Sequence, residues 1–351
     1  MDMRAPQPQH AASGPDLALL NGWQHGFPLV PQPFAVLGEQ LGLSEQAVVE
    51  ACDRLQRAGS ISRIGGVFSP GAGGAGLLAA MAVPAGRMAD VAALVSAHPG
   101  VNHNYEREHE LNLWFVMTGR DADAVEMAMV ALEQSTGLTA LRLRLQRAYR
   151  IDLGFDLGHS TAPVPMRADR SARAAPIDAS DWRLAQQVEA GLSPVARPFD
   201  LWAEACGLSL DDVLKTLETW VERGTLKRFG VVVRHHELGF SANAMTVFDV
   251  PDALVDSCGE VLACQPGVTL AYRRERSPQW PYNLYCMVHG TDRDVVHAVL
   301  DRVRVAADLE RYPRAVLFST RRFKQTGARR FRDVPGVPAG QTPREVFHAV
   351  A

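Results

Sequence analysis

The chain is written twice. "GFPLVPQPFAVLGEQLGLS" (residues 26–44) returns as "GLSPVARPFDLWAEACGLS" (residues 191–209), keeping the Pro-Phe pair, the Gly-Leu-Ser and the spacing between them. The same register sets "RAGSISRIGGVF" against "ERGTLKRFGVVV", so that Arg63 faces Arg228 and Gly65 faces Gly230. Further on it sets "HPGVNHNYERE" against "QPGVTLAYRRE", and "NLWFVMTG" against "NLYCMVHG". A duplication constrains architecture before any single residue does, because both copies must fold on one plan and pack as neighbours.

Each copy opens with helical patterns. Ser44 and Ser209 stand where an N-cap would, ahead of "EQAVVEACDRLQRAG" and "LDDVLKTLETWVERG", whose apolar residues recur at helical spacing up to Gly59 and Gly224. This predicts a helix, a turn, a second helix and a β-rich wing. In the first copy "LLAAMAVP", "VNHNYERE", "LNLWFVMTG" and "LTALRLRLQRAYRI" then read as strands, with "RMADVAALVSAHPG" and "DADAVEMAMVALEQSTG" as helices between them. The order is βαββαβ, which is ferredoxin-like, and the second copy repeats it. The expected fold is therefore α+β, a tandem repeat of winged helix-turn-helix plus ferredoxin-like βαββαβ units.

The expected borders are a disordered N-terminus over 1–16, helix-turn-helix units over 17–70 and 177–236, ferredoxin-like units over 71–157 and 237–325, a linker over 158–176 and a tail over 326–351. The Pro-, Ala- and Ser-rich run "GHSTAPVPMRADRSARAAP" marks the linker. The glycine cluster "SPGAGGAG" lacks the Lys-Ser/Thr of a phosphate loop and reads as a flexible connector. The basic run "RRFKQTGARRFR" reads by default as a solvated tail, with contact to substrate carboxylates or nucleic acid as the alternative.

A net charge of -3 gives no global attraction to a polyanion such as nucleic acid. The five cysteines (Cys52, Cys206, Cys258, Cys264, Cys286) contain no CxxC pair and read as reduced thiols. With no signal-like N-terminus and no long apolar window, a cytoplasmic chain without a membrane partner is expected.

A helix-turn-helix joined to a ferredoxin-like unit resembles the Lrp/AsnC family of transcription regulators, which implies DNA binding. The second helices argue against a duplex: Glu45, Glu50 and Asp53 outnumber Arg54 and Arg57, and Asp211, Asp212, Glu218 and Glu222 outnumber Lys215 and Arg223. "GVNHNYEREHELNLWFV", "GVTLAYRRERSPQWPYNLYCMVHG" and "RFGVVVRHHELGF" resemble the signature segments of a subfamily of that architecture, the sirohaem decarboxylases. Two fused copies are similar to the form in which the subunits called D and L are joined. The resemblance implies removal of carboxylate from two acetate side chains of sirohaem, giving 12,18-didecarboxysirohaem for the haem of nitrite reductase; a related route to protohaem uses the same step. It also implies related decarboxylase subunits as partners. No cofactor is expected beyond the iron of the substrate, and the two copies are expected to form a pseudo-dimer within one chain, with a higher oligomer left open. A non-catalytic tetrapyrrole-binding protein is the other reading of the same pocket.

Sirohaem is a flat macrocycle with eight carboxylates, so its site needs an apolar slot with cations at the rim, and arginine grips carboxylates with a planar fork. The expected substrate-binding residues are Arg107, Arg228, Arg234, Tyr272, Arg273, Arg274, Trp280 and Asn283, with Arg63 beside them on the first wing. Decarboxylation leaves an electron pair that must be protonated, and histidine titrates in the right range. The candidate acids are His103, Tyr105, His235 and His236, and His103 or His235 is also the candidate ligand of the substrate iron. The copies differ at these places: His103 faces Leu270, while Ser69 and Pro70 face Arg234 and His235. One composite pocket, using "HNY" of the first copy and "RHH" of the second, is the expected arrangement, with two pseudo-symmetric pockets of which one has decayed as the alternative.

Overall fold

Capping residues define the helical layer in both copies. The Ser44 hydroxyl accepts the Ala47 amide at 3.2 Å and the Ser209 hydroxyl accepts that of Asp212 at 3.1 Å, satisfying donors a helix start would leave open. Just before them, Gly42 and Gly207 adopt the left-handed conformation that ends the preceding helix. The computed structural model describes residues 14–151, 174, 176–233 and 242–331. It contains α1 (Pro15–Gly22), α2 (Pro33–Leu41), α3 (Glu45–Arg57) and β1 (Ile61–Phe68), followed by β2 (Ala75–Met81), α4 (Met88–Ala97), β3 (Val101–Arg107), β4 (Leu113–Gly119), α5 (Ala122–Thr136) and β5 (Ala140–Ile151). The second copy repeats the order as α6 (Trp182–Ala190), α7 (Pro198–Cys206), α8 (Leu210–Glu222), β6 (Leu226–Val233), β7 (Ala242–Phe248), α9 (Val255–Ala263), β8 (Val268–Arg274), β9 (Leu284–Gly290), α10 (Arg293–Ala306) and β10 (Arg314–Gln325). Helices α1 and α6, which precede each helix-turn-helix, were not expected from the sequence.

The two copies are interlocked at two levels. Strands β5 and β10 are each 12 residues long, enough to serve two sheets. The first part of β5 pairs with β2 and its second part crosses to β8, while β10 pairs first with β7 and then with β3. The result is one closed barrel in the order β10-β3-β4-β2-β5-β8-β9-β7. Closure leaves neither sheet an open edge. Ala80, Trp114, Leu143, Met245, Val247, Trp280, Tyr285 and Leu317 fill the interior, and the helices pack outside, α4 and α5 on one sheet and α9 and α10 on the other.

The wing strands β1 and β6 also pair with each other, antiparallel, with Gly65 opposite Gly230. Phe27, Phe34, Phe199, Trp202 and Phe229 tie both helical units into one core. The crossing explains the repeated glycine: a Cβ at Gly230 would stand 2.4 Å from the Trp23 carbonyl oxygen, and one at Gly65 2.6 Å from that of Val188. Gly230→Ala is expected to destabilise the protein by roughly 1–3 kcal/mol through this overlap, measured by chemical denaturation. Gly76→Ala, which meets only a 3.8 Å contact, serves as the control. Equal midpoints for both variants would contradict the tight crossing.

Two expectations about chain ends and loops need correction. The basic run after residue 320 is not a solvated tail: residues up to Gln325 belong to β10, and Phe331 is fully buried against Phe68 and Trp182. The glycine cluster is not a loose connector either, because Gly73 and Gly74 lie directly under Phe331 and Arg330. Residues 1–13, most of the expected linker and residues 332–351 lie outside the described residues. Among the described residues no helix is long and apolar enough to cross a membrane.

Candidate active site

Strand alternation decides which motif residues can meet. Asn104 donates to the Ala92 carbonyl and lies 3.0 Å from the Ser96 hydroxyl on α4, which fixes its face of β3 as the helix side. His103, Tyr105 and Arg107 therefore point to the other face, toward the barrel interior. The His103 and Tyr105 rings stack with centroids 6.3 Å apart, Nδ1 of His103 lies 2.9 Å from Oδ1 of Asn102, and Arg107 sits 5.5 Å over the Tyr105 ring. The second copy repeats the device with Tyr272 and Arg274, 5.2 Å from guanidinium to ring. Arg107 donates to the Leu317 carbonyl at 2.9 Å and Arg274 to that of Leu143 at 3.0 Å. These two arginines thus also pin the strands that cross between copies.

Several of these side chains are deep in the molecule yet still wetted. His103, Tyr105, Arg63, Tyr272, Arg274 and Arg330 are all only partly covered. Burial nevertheless holds the His103 imidazole down to about 4, helped by the Arg63 cation, and pushes the Tyr272 phenol up to about 12. Burial likewise lowers the guanidinium groups of Arg63, Arg274 and Arg330 from their usual range. Groups that are desolvated but still touched by solvent line a crevice rather than a surface or a sealed core. It lies where the wing strands meet the barrel: Gln325 pairs with His103 on β3, and two residues on, Gly327 crosses the side chain of Arg63 from β1.

The crevice is rich in cations. Glu189, buried near the end of α6, is the carboxylate whose charge reaches both Arg63 and Arg330. The Nε atoms of Arg63, Arg107, Arg274 and Arg330 are buried and make no hydrogen bond. Cations in such a place are costly unless an anion joins them. The arrangement suits a ligand bearing several carboxylates.

Not every expected residue lies here. Arg273 points to the helix side, where it bonds Gln146 and reaches Asp252 and Asp256, so its charge is already answered. Trp280 is not a wall of the crevice but a plug in the barrel: it is 2% exposed, packs on Trp114 at 5.1 Å and His109 at 5.2 Å, and donates to the Tyr285 hydroxyl. Asn283 clamps both backbone groups of Val250, as Asn112 clamps those of Val83, which makes the repeated asparagine structural. Arg228 is buried and donates to the carbonyls of Gln24 and Val231, holding the wing rather than reaching out. Arg234, His235 and His236 lie outside the described residues. Sequence reading missed Glu189, and it held Arg322 and Arg330 only within a basic run whose alternative reading was contact with substrate carboxylates; Arg322 pairs with Tyr105 in the β10–β3 ladder and its charge bears on that phenol. A groove of about 480 Å³ beside Thr291, Asp292, Arg293 and Thr320 is a weaker candidate, because Arg293 is already ion-paired with Glu108.

The depressed imidazole has a measurable consequence. The unfolded chain would protonate His103 near its ordinary 6.5, but the folded chain only near about 4, so stability is complete above the first value and falls as pH drops toward the second. Between about pH 7.5 and about pH 5 the loss from this residue should be roughly 1–2 kcal/mol, with allowance for its partial exposure. His103→Leu should remove that part of the slope in chemical denaturation; an unchanged slope would show that the imidazole is not depressed.

Family comparisons agree with the fold. Residues 72–150 and 237–324 match the model of the AsnC-like ligand binding domain, and residues 16–61 match that of the siroheme decarboxylase NirDL-like HTH domain. The siroheme decarboxylase NirDL subunit of Paracoccus denitrificans is 43% identical over 317 residues, covering 89% of this chain and 96% of that one. The siroheme decarboxylase NirD subunit of Stutzerimonas stutzeri is 47% identical over 140 residues, 40% of this chain and 92% of its own. A crystal structure of siroheme decarboxylase NirDL in complex with an iron-uroporphyrin III analogue superposes with a TM-score of 0.63 at 27% identity, covering 91% of this chain and 94% of that one. The chain belongs to the siroheme decarboxylase family, and it matches the two-copy NirDL subunits along nearly their whole length.

Proposed function

We propose that the protein decarboxylates sirohaem, removing two acetate carboxylates as carbon dioxide to give 12,18-didecarboxysirohaem, on the route to the haem of nitrite reductase. The observation that carries this reading is the crevice of desolvated cations around His103, Tyr105 and Tyr272, with Glu189 set among them. A polycarboxylate would supply the missing negative charge, and guanidinium forks are the groups best shaped to hold it.

In each round the bond between the acetate methylene and its carboxylate breaks, carbon dioxide leaves, and the electron pair stays on the methylene carbon in conjugation with the ring. One proton then converts that carbon to a methyl group. His103 is the proposed donor. It is neutral in the free protein because of burial and Arg63. Substrate carboxylates that offset Arg63 raise the proton affinity of the imidazole back toward its ordinary range, so that it can carry the proton once substrate is bound. Tyr105, stacked on His103, is the proposed second group; His235 and His236 remain candidates of the second copy.

This reading assigns the protein no cofactor of its own, the iron belonging to the substrate. Related decarboxylase subunits are proposed partners. We place the reaction in the cytoplasm, a choice supported by five unpaired cysteines. Anaerobic incubation with sirohaem followed by mass spectrometry tests the proposal. Stepwise loss of two molecules of carbon dioxide is expected, whereas a spectral shift without mass loss would mean binding without turnover.

A further inference from the structure

The segment that follows β10 is held too specifically for a tail. Gln325 pairs with His103, and the next amide, that of Thr326, donates to the Asn102 carbonyl at 2.8 Å. Gly327 then crosses Arg63 so closely that a Cβ there would lie 2.1 Å from the guanidinium. The amides of Arg330 and Phe331 converge on the Glu189 carboxylate at 2.8 to 3.1 Å. Gln186 donates to the Phe331 carbonyl at 2.6 Å.

The seat for this segment is built from the glycine cluster. A Cβ at Gly73 would stand 2.5 Å from the Phe331 ring, and one at Gly74 2.4 Å from Cβ of Arg330. Glu189 would otherwise be badly placed. A carboxylate in the last turn of a helix opposes the helix dipole, and burial raises its cost further. It is compensated by the two amides of the segment and by nearby Arg63 and Arg330. The equivalent position in the first copy is Gln24, which carries no charge.

Glu189 therefore spends its oxygens on the backbone of the segment and leaves the Arg330 side chain free to act. The Nε of that side chain is buried and unpartnered, and its charge bears on the Tyr272 phenol. We propose that residues 326–331 form a strap across the crevice that delivers Arg330 to a carboxylate of the tetrapyrrole, with Glu189 as the residue that positions the strap; this rests on the polycarboxylate reading given above.

The test is an anaerobic absorbance titration of the full chain with iron-uroporphyrin III, together with turnover of sirohaem. Arg330→Ala should weaken binding by about tenfold or more, the value of a charged hydrogen bond. KM should rise more than kcat falls, and Arg330→Lys should recover part of the loss. Glu189→Gln should weaken binding in the wild-type background and cost less beside Arg330→Ala, because part of its effect acts through the same guanidinium. Should Arg330→Ala prove poorly folded, Arg330→Gln keeps the side-chain volume and is held to the same expectation. Wild-type binding with unchanged affinity and KM in the folded Arg330 variants would overturn the strap alone. Absence of tetrapyrrole binding by the wild type would overturn the polycarboxylate reading and the strap with it.

Discussion

Replacing His103 by leucine should slow the release of carbon dioxide from sirohaem by roughly 10²–10⁴-fold, the range for loss of a general acid. Tetrapyrrole binding should change little. Leucine is the informative replacement because the second copy carries Leu270 at the matching place, so the barrel already accommodates it there. The stacked Tyr105 and the Arg63 cation remain in this variant, which separates loss of the proton from loss of the pocket. Full activity would remove His103 from the chemistry and direct attention to His235 and His236. Loss of binding in parallel with activity would instead mark His103 as a substrate or iron contact.

The second large effect concerns stability. Trp280→Ala should destabilise the protein by about 3–5 kcal/mol, as for other buried aromatic side chains. Its ring is enclosed by Trp114, Tyr282 and His109, and its Nε1 donates to the Tyr285 hydroxyl at 2.7 Å. Truncation leaves a cavity where the loops after β3 and β8 meet over the barrel. Tetrapyrrole affinity of the protein that remains folded should be unaltered. A variant of normal stability with weakened affinity would restore Trp280 to the substrate site and overturn its assignment as a plug.

Much of the fold was legible in the repeat itself. Ser44, Ser209, Asp121 and Asp292 each cap the helix that follows them, and the βαββαβ order holds in both copies. Local periodicity could not reveal the closed barrel or the pairing of β1 with β6, since both join segments far apart in sequence. The candidate site was legible only in part. Arg273 sits between Tyr272 and Arg274 in sequence but on the opposite face of β8, a distinction that strand alternation alone could have drawn. Asn283 belongs to the repeated segment and Trp280 to the insertion just before it, yet closeness to a motif does not tell packing from binding. Arg330 was left undecided for a different reason. A basic run at the end of a domain carries no periodic signal, and only Glu189 and the glycine seat give it a place.

The two copies are unequal where they meet the crevice. Position by position, His103 stands against Leu270, Arg322 against Ala148 and Glu189 against Gln24. A crevice that draws His103 and Arg63 from one copy and Tyr272 and Arg330 from the other should hold a single macrocycle. The direct test is the end point of an anaerobic titration of the intact chain with sirohaem at concentrations well above Kd. One tetrapyrrole per chain is predicted; two per chain, bound with equal affinity, would contradict a single site shared between unequal halves.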